Sequence, residues 1–497
     1  MSNHLYDALI APRALDEASF ICQAGKPDLS FKGFAENAAR LAHVLVKAGV
    51  SPGDRVVVQA PKTVEMVALY IATIQAGGVF LPLNTAYKTD EVAYFLSDAT
   101  PSVLVCEGTR QEELSAVAGT AKVLTLNADG SGSLTQDLND HSSHFDTIDR
   151  AGHDLAALLY TSGTTGRSKG AMLTHDNLLS NARALCDLWQ ITSADRLIHA
   201  LPIFHTHGLF VALNTSLLAG VQLDLKTGFD LDAIFGAMKQ ATMLMGVPTF
   251  YTRLLGDARL TAEATKNMRL FISGSAPLLA ETHEAFTART GHRILERYGM
   301  TETNMITSNP YDGKRRAGTV GHPLAEIEVR VTDPETGKEV PKGDVGMIEV
   351  RGPNVFQGYW QMPEKTAAEL RDTGFFITGD LGTFSDDGYL SIVGRSKDLI
   401  ITGGYNVYPK EIEDVLNEID GVLESAVFGV PDADFGEAII AAIVPNSSAA
   451  VDTEELAAVV AQKLARFKHP RRYEIMQALP RNTMGKVQKN LLRDSYG

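Results

Sequence analysis

The chain is poor in the residues that staple or span. Only three cysteines occur in 497 residues. Cys22, Cys106 and Cys186 stand far apart, so neither a disulfide framework nor a CxxC metal site is visible. That usage suits a reducing cytosol, and the cytoplasm is the expected location. Basic residues are also in deficit: 45 Lys and Arg against 60 Asp and Glu leave a formal charge of -15, which argues against nucleic acid or an anionic membrane as main partner. The N-terminal stretch "MSNHLYDALIAP" lacks a basic region followed by an apolar one, so no signal peptide is expected. The most apolar window, "MVALYIATIQAGGVFLPL", is broken by Gln75, Gly77 and Gly78 and reads as a buried helix followed by a buried strand, not a membrane span.

What is present is material for more than one core. Short β-branched runs at 55–61, 101–108 and 121–128 alternate with helical patterns such as "DEVAYFLSDA" (90–99), which predicts α/β layers. The alternation resumes at 195–205, 221–228, 241–250 and 268–278. From about residue 320 the texture becomes β-rich, with Gly and Asp turns. The last hundred residues offer a helix over 409–421, strands over 423–430 and 437–445, and a helix near 453–466, enough for a small α+β domain. The boundary is placed close to Lys397, giving domains of 1–396 and 397–497. The Ser/Asp/Gly-rich stretch 127–144 reads as an exposed connection.

Chemistry concentrates first in "TSGTTGRSKG" (161–170). A glycine-rich turn with hydroxyls and a lysine can wrap a polyphosphate, because the anion needs many short donors and little steric bulk. The stretch fits neither GxxxxGK[ST] nor GxGxxG, and taken alone it is also compatible with a solvated turn. Further along stand "YGMTE" (298–302), "TGD" (378–380), "GRSKDLIITGGYNVYP" (394–409) and "PRNTMGK" (480–486). In order and spacing these five motifs resemble the acyl-adenylate-forming superfamily of acyl-CoA synthetases, peptide-synthetase adenylation domains and luciferases, and the resemblance covers nearly the whole chain.

That resemblance implies a large N-terminal domain of two α/β subdomains plus a β-barrel, with a small mobile C-terminal domain. It implies ATP, Mg²⁺ and coenzyme A as co-substrates and cofactor. Thr161, Ser162, Gly163, Thr164, Thr165, Gly166 and Lys169 would contact the phosphates. Thr161 and Glu302 would hold Mg²⁺, a hard ion suited to oxygen ligands. Gly274, Ser275 and Ala276 would border the adenine, Tyr298 would stack on it with Gly299 and Thr301 of the same motif also at the ATP site, and Asp380 would bind the ribose with Arg395 nearby. Lys486 matches the C-terminal catalytic lysine, and His205 the residue that closes over the acyl site; His207 reads equally as a packing residue. Gly403, Gly404 and Tyr405 match the loop bordering the pantetheine tunnel. Lys397 matches the hinge, where many family members carry Asp.

Residue 297 is commonly small in related synthetases and is arginine here. A cation there suits a second carboxylate, and Arg253 with Ser275 could complete a clamp; Arg315 and Arg316 are rivals for that role. Arg297 could instead pair with Glu296 or Glu302. The pattern is similar to synthetases that use malonate, so a short dicarboxylic acid is the expected substrate, with methylmalonate as a secondary one. A medium-chain or aryl acyl-CoA synthetase is the alternative within enzymes, and a non-catalytic ATP-binding regulator the alternative outside them. "PRNTMGK" also resembles the setting in which such synthetases are switched off by acetylation, which makes a lysine acetyltransferase acting on Lys486 an expected partner.

Overall fold

In the computed structural model, residues 2–23, 25–161, 168–403, 405–432, 434–446, 451–482 and 485–497 are described. Ser162, Gly163, Thr164, Thr165, Gly166 and Gly404 lie outside them.

Near-continuous valine and leucine runs form strands buried on both faces, as parallel sheets require. Strands Lys122–Thr125, Val103–Cys106, Arg55–Gln59, Val79–Pro82 and Leu155–Thr161 run parallel in that spatial order, and Lys169–Thr174 closes the sheet antiparallel to Leu155–Thr161. Helix Val64–Gln75 is buried on almost every side, as its apolar composition predicts, and starts where the Thr63 hydroxyl accepts from the Met66 N–H. Helix Phe31–Lys47 presents one apolar face to the same core and is capped by Ser30.

A second sheet of nine strands carries the site. At its centre Gln222–Leu225, Arg196–His199, Met243–Gly246, Leu270–Ser273 and Leu295–Met300 lie parallel, and Asn304–Ser308 returns antiparallel from the last of these. Parallel order points all five carboxyl ends to one edge, the edge where open α/β sheets bind ligands. The β-rich stretch folds as an antiparallel sheet of Glu328–Thr332, Gly346–Arg351, Phe376–Phe384 and Leu390–Arg395, paired in sequence order. Its expected barrel is, in hydrogen bonding, this four-stranded sheet.

The small C-terminal unit has its own sheet, built from Tyr405–Val407, Ile400–Thr402, Gly436–Pro445, Val422–Asp432 and Arg472–Ile475. Two separate apolar clusters cover its faces, one centred on Ile412, Leu416 and Val460, the other on Phe428 and Leu492. The helix expected over 409–421 ends at Asn417, and the one near 453–466 ends at Lys463. Lys397 is exposed in the one-turn helix Ser396–Asp398 that joins the two sheets. No helix among the described residues is long and apolar enough to cross a membrane.

Candidate active site

The hairpin of Leu155–Thr161 and Lys169–Thr174 places Thr161 directly opposite Lys169, so the strands hold the two ends of the glycine-rich loop. The Lys169 ammonium lies 3.1 Å from the Tyr359 hydroxyl and 3.3 Å from a Glu369 oxygen. Tyr359 in turn reaches Glu302 Oε1 at 3.1 Å and Glu369 Oε2 at 2.6 Å. A single phenol therefore links the loop lysine to the buried carboxylate of the YGMTE motif. Burial raises the Glu302 pKa, and Lys169 and Tyr359 oppose that rise. Nothing in the sequence motifs pointed to Tyr359 or Glu369, which enter from a segment nearly two hundred residues downstream of Lys169.

Glu302 and Thr161, the residues expected at a metal, would offer one carboxylate and one hydroxyl. That set fits Mg²⁺, which keeps waters and binds through one or two carboxylates plus substrate phosphates. No cluster of three or more His, Cys, Asp or Glu side chains able to hold a metal ion is found among the described residues.

Strand Leu295–Met300 makes a tight hairpin with Asn304–Ser308. Gly299 has no alternative there, since a Cβ would lie 2.0 Å from the Asn304 carbonyl oxygen. The hairpin sets the side chains of Arg297 and Tyr298 on opposite faces. Tyr298 is buried, and its hydroxyl donates to Asp380 at 2.5 Å; Arg395 pairs with the other oxygen of Asp380 at 2.7 Å. Thr301 is half-buried in the turn that follows.

Arg297 is the most unusual group in the cleft. It is 3 % exposed, and its Nε and Nη2 have no hydrogen-bond partner. Desolvation pulls its pKa down to about 9, against the opposing influence of Tyr251 and Glu296. The pairing with Glu296 or Glu302 that the sequence left open is not formed: Glu296 accepts from the Leu278 N–H at 3.2 Å, and Glu302 faces Tyr359. The guanidinium lies against Gly274, where a Cβ would stand 2.3 Å from Arg297 Cζ. Ser275 follows in a left-handed conformation, φ 71°. Its hydroxyl meets His207 Nδ1 at 3.3 Å. His207 is buried, and its Nε2 also has no partner. Burial, then the Arg297 charge, depresses the His207 pKa far below the ordinary histidine range. His205, pulled down to about 3 by burial and by Lys486 and Arg297, accepts from the His207 N–H at 3.4 Å. Both imidazoles are therefore neutral at working pH.

The other arginines stand differently. Arg315 donates to the carbonyls of Pro310, Arg293 and Tyr311, and Arg316 pairs with Asp387 over the Tyr389 ring. Both are committed to structure, which removes them as rivals. Arg253 is exposed on helix Pro248–Leu255, 5.8 Å from the Phe229 ring centroid. Of the two arginines expected at a free carboxylate, only Arg297 is enclosed.

Lys486 reaches this cleft from the C-terminal unit. Its loop is pinned by Asn482, which accepts from the Lys486 N–H at 3.0 Å. Gly485 approaches helix Pro248–Leu255, its would-be Cβ 3.8 Å from Thr249. The cleft is open, so Lys486 keeps accessible surface. Protein nevertheless surrounds the ammonium closely enough to lower its pKa by desolvation and by the Arg395 charge, while Asp380 and Glu302 counter the effect. Gly403 and Tyr405 lie elsewhere: Tyr405 is exposed and stacks on Phe467 at 4.7 Å, on the small unit's own sheet.

Buried carboxylates, cations and neutral imidazoles thus gather at a sheet edge, with a lysine supplied from the C-terminal unit. A family model described as AMP-binding enzyme matches residues 11–360, and one described as AMP-binding enzyme C-terminal domain matches 411–486. The chain belongs to the AMP-binding enzyme family. It is an acyl-CoA ligase, an AMP-forming acid–thiol ligase, like its curated relatives. Among these, a malonate–CoA ligase of Arabidopsis thaliana is 33% identical, with 99% of this chain and 91% of the relative covered. A long-chain-fatty-acid–CoA ligase of Bacillus subtilis (strain 168) is 34% identical over 93% and 89%. The ATP-bound crystal structure of MatB from Rhodopseudomonas palustris is 55% identical, covers 100% of this chain and 99% of its own, and superposes with a TM-score of 0.98. The apo structure of MatB from the same organism gives 0.87.

Proposed function

We propose that this ligase activates malonate: malonate, ATP and CoA give malonyl-CoA, AMP and pyrophosphate through a malonyl-adenylate. One observation carries the choice of acid, the buried Arg297 guanidinium whose Nε and Nη2 lack partners beside Ser275 and the unpartnered Nε2 of His207. A fatty or aryl tail would leave that charge uncompensated in a desolvated site, whereas a second carboxylate satisfies it with charge-assisted bonds. Methylmalonate adds one methyl group and is the secondary substrate.

In the first half-reaction a malonate carboxylate oxygen attacks the α-phosphorus of ATP. A new P–O bond forms as the bond to pyrophosphate breaks. Two anions must meet, so positioning and positive charge dominate. Lys486 holds the attacking carboxylate and the α-phosphate, and Lys169 and the glycine-rich loop hold the terminal phosphates. Asp380 orients the ribose, and Tyr298 lies along the base. Glu302 and Thr161 would hold Mg²⁺, which neutralises phosphate charge when bound. His205 closes over the acyl group as a neutral imidazole. In the second half-reaction the CoA thiol, losing its proton, attacks the acyl carbon and AMP leaves. For that step the C-terminal unit rotates about Lys397, bringing Gly403, Gly404 and Tyr405 to the thiol channel.

The test is pyrophosphate release by purified protein with ATP, Mg²⁺ and CoA across malonate, methylmalonate, succinate, acetate and octanoate. Malonate is expected to give the highest kcat/KM. Equal turnover of octanoate and malonate would overturn the assignment of the acid and leave the ligase chemistry intact.

A further inference from the structure

Outside the residues already given roles, one buried cation joins three separate pieces of the acyl-site wall. Lys62 stands in the connection between strand Arg55–Gln59 and helix Val64–Gln75. Its Nζ lies 2.9 Å from His199 Nδ1, 2.8 Å from the His199 carbonyl oxygen and 2.8 Å from the Leu201 carbonyl oxygen. On the other side of the imidazole, His199 Nε2 lies 2.8 Å from the Gly208 carbonyl oxygen.

The chemistry of these contacts fixes every proton. A carbonyl oxygen only accepts, so His199 Nε2 carries hydrogen and donates to Gly208. Nδ1 of the neutral ring is then a bare acceptor. Lys62 consequently faces three acceptors and donates to all of them, which only an ammonium with three hydrogens can do. Burial pulls the Lys62 pKa well below the ordinary lysine range and His199 down to about 3. The complete set of donated bonds keeps the charge on the lysine, and the lysine keeps the ring neutral.

The three acceptors of Lys62 lie at one end of a loop, and the Gly208 carbonyl that accepts from His199 lies at the other. His199 and Leu201 mark its beginning at the end of strand Arg196–His199. Gly208 marks its return, next to His207 at the start of a π-helical stretch, His207–Asn214, a rare geometry that concentrates at functional sites. Gly208 is also where the loop folds onto itself, since a Cβ there would stand 2.1 Å from the Pro202 carbonyl oxygen. Between the ends lie His205 and His207, which form the wall facing Arg297 and Lys486.

We infer that Lys62 is a positioning residue for the acyl site: its ammonium clamps both ends of the 199–208 loop, directly and through His199, and so sets His205 and His207 against the substrate. Among the described residues, the hydrogen bonds of the Lys62 ammonium go to His199 and Leu201, not to the nucleotide-binding residues named above. The inference rests on the reading of that wall as the acyl site, and its experiment separates the two.

Lys62→Met retains most of the stem and removes the three donors. The KM for malonate is expected to rise about 10- to 100-fold, the scale of a small misplacement of reacting groups, while the KM for ATP stays within about 2-fold. His199→Gln, which can still donate to Gly208 but offers Lys62 no ring nitrogen, is expected to shift the same constant in the same direction. The double variant should be no worse than the poorer single one, as for residues acting as a unit. Equal loss in both KM values, or a fall in Tm with unchanged malonate KM, would overturn the inference and leave Lys62 a core-packing group. If wild-type protein prefers another acid of the panel, the malonate reading fails and the same ratio of KM values for that acid still decides the role of Lys62.

Discussion

Replacing Arg297 by methionine should push function and stability in opposite directions. In the wild-type protein two guanidinium nitrogens, Nε and Nη2, are buried without partners. Each charge-assisted hydrogen bond made to a substrate carboxylate is worth about 1.5–3 kcal/mol net. Two such bonds give about 3–6 kcal/mol, or roughly a 10²- to 10⁴-fold loss in kcat/KM for malonate when they are removed. The folded, ligand-free protein loses nothing comparable, because no protein group accepts from those atoms. An apolar side chain of similar length removes an uncompensated buried charge, so Tm should hold or rise by a few degrees. The assay pairs pyrophosphate release over a malonate series with a thermal melt in the absence of substrate. Malonate kcat/KM within about 3-fold of wild type would refute the reasoning, since it leaves no room for even one charge-assisted bond. A lower Tm would refute it from the other side, by showing that the guanidinium supports the fold.

Further expectations concern the rest of the cleft. Lys486→Ala should lower adenylation about 10²- to 10³-fold, the cost of one transition-state donor, while thiol transfer from preformed malonyl-adenylate stays near wild type; site-specific acetylation of Lys486 should reproduce this split, and full adenylation by the acetylated protein would exclude regulation at that residue. Tyr359→Phe removes the hydroxyl shared by Lys169, Glu302 and Glu369, so the KM for MgATP should rise with that for malonate unchanged, at a stability cost of about 1–3 kcal/mol in a urea titration. For pH, His199 is held down to about 3 by burial, so the unfolded chain binds the extra proton between roughly pH 3 and 6.5 and stability falls as pH drops through that window. The slope for this one histidine is about 1.4 kcal/mol per pH unit. Glu296, raised to about 7 by burial, binds its extra proton in the folded state between roughly 4.5 and 7 and acts oppositely. Chemical denaturation at pH 5 and 6.5 should therefore show a steeper acid loss in Glu296→Gln than in wild type.

How far the sequence could be read depended on whether one segment was enough. Thr161, Lys169, Tyr298, Glu302, Asp380 and Lys486 stand in short motifs that carry the family resemblance and are visible without coordinates. The α/β alternation was equally visible, because strands buried on both faces leave unbroken runs such as "RVVVQ". Helix ends were less so: "PKEIEDVLNEIDG" keeps an apolar period to Ile419, yet the chain leaves the helix at Asn417. The isolation of Arg297 depends on what Glu296 and Glu302 do instead, and those choices are made by Leu278 and Tyr359. The commitment of Arg315 is made by backbone carbonyls, which carry no side-chain signature at all. The links from Lys62 to His199 and from Lys169 to Tyr359 cross between segments far apart in the chain, and no local spacing encodes them.

The contact between Gly274 and Arg297 has a historical side. A methyl group at 274 would stand 2.3 Å from the guanidinium carbon, so a larger residue there displaces the end of the Arg297 side chain from its present place. Loss of the arginine first opens the space, and a later alanine at 274 would keep a returning guanidinium from its present place. The two positions are therefore coupled, and the order in which they change decides what each change costs.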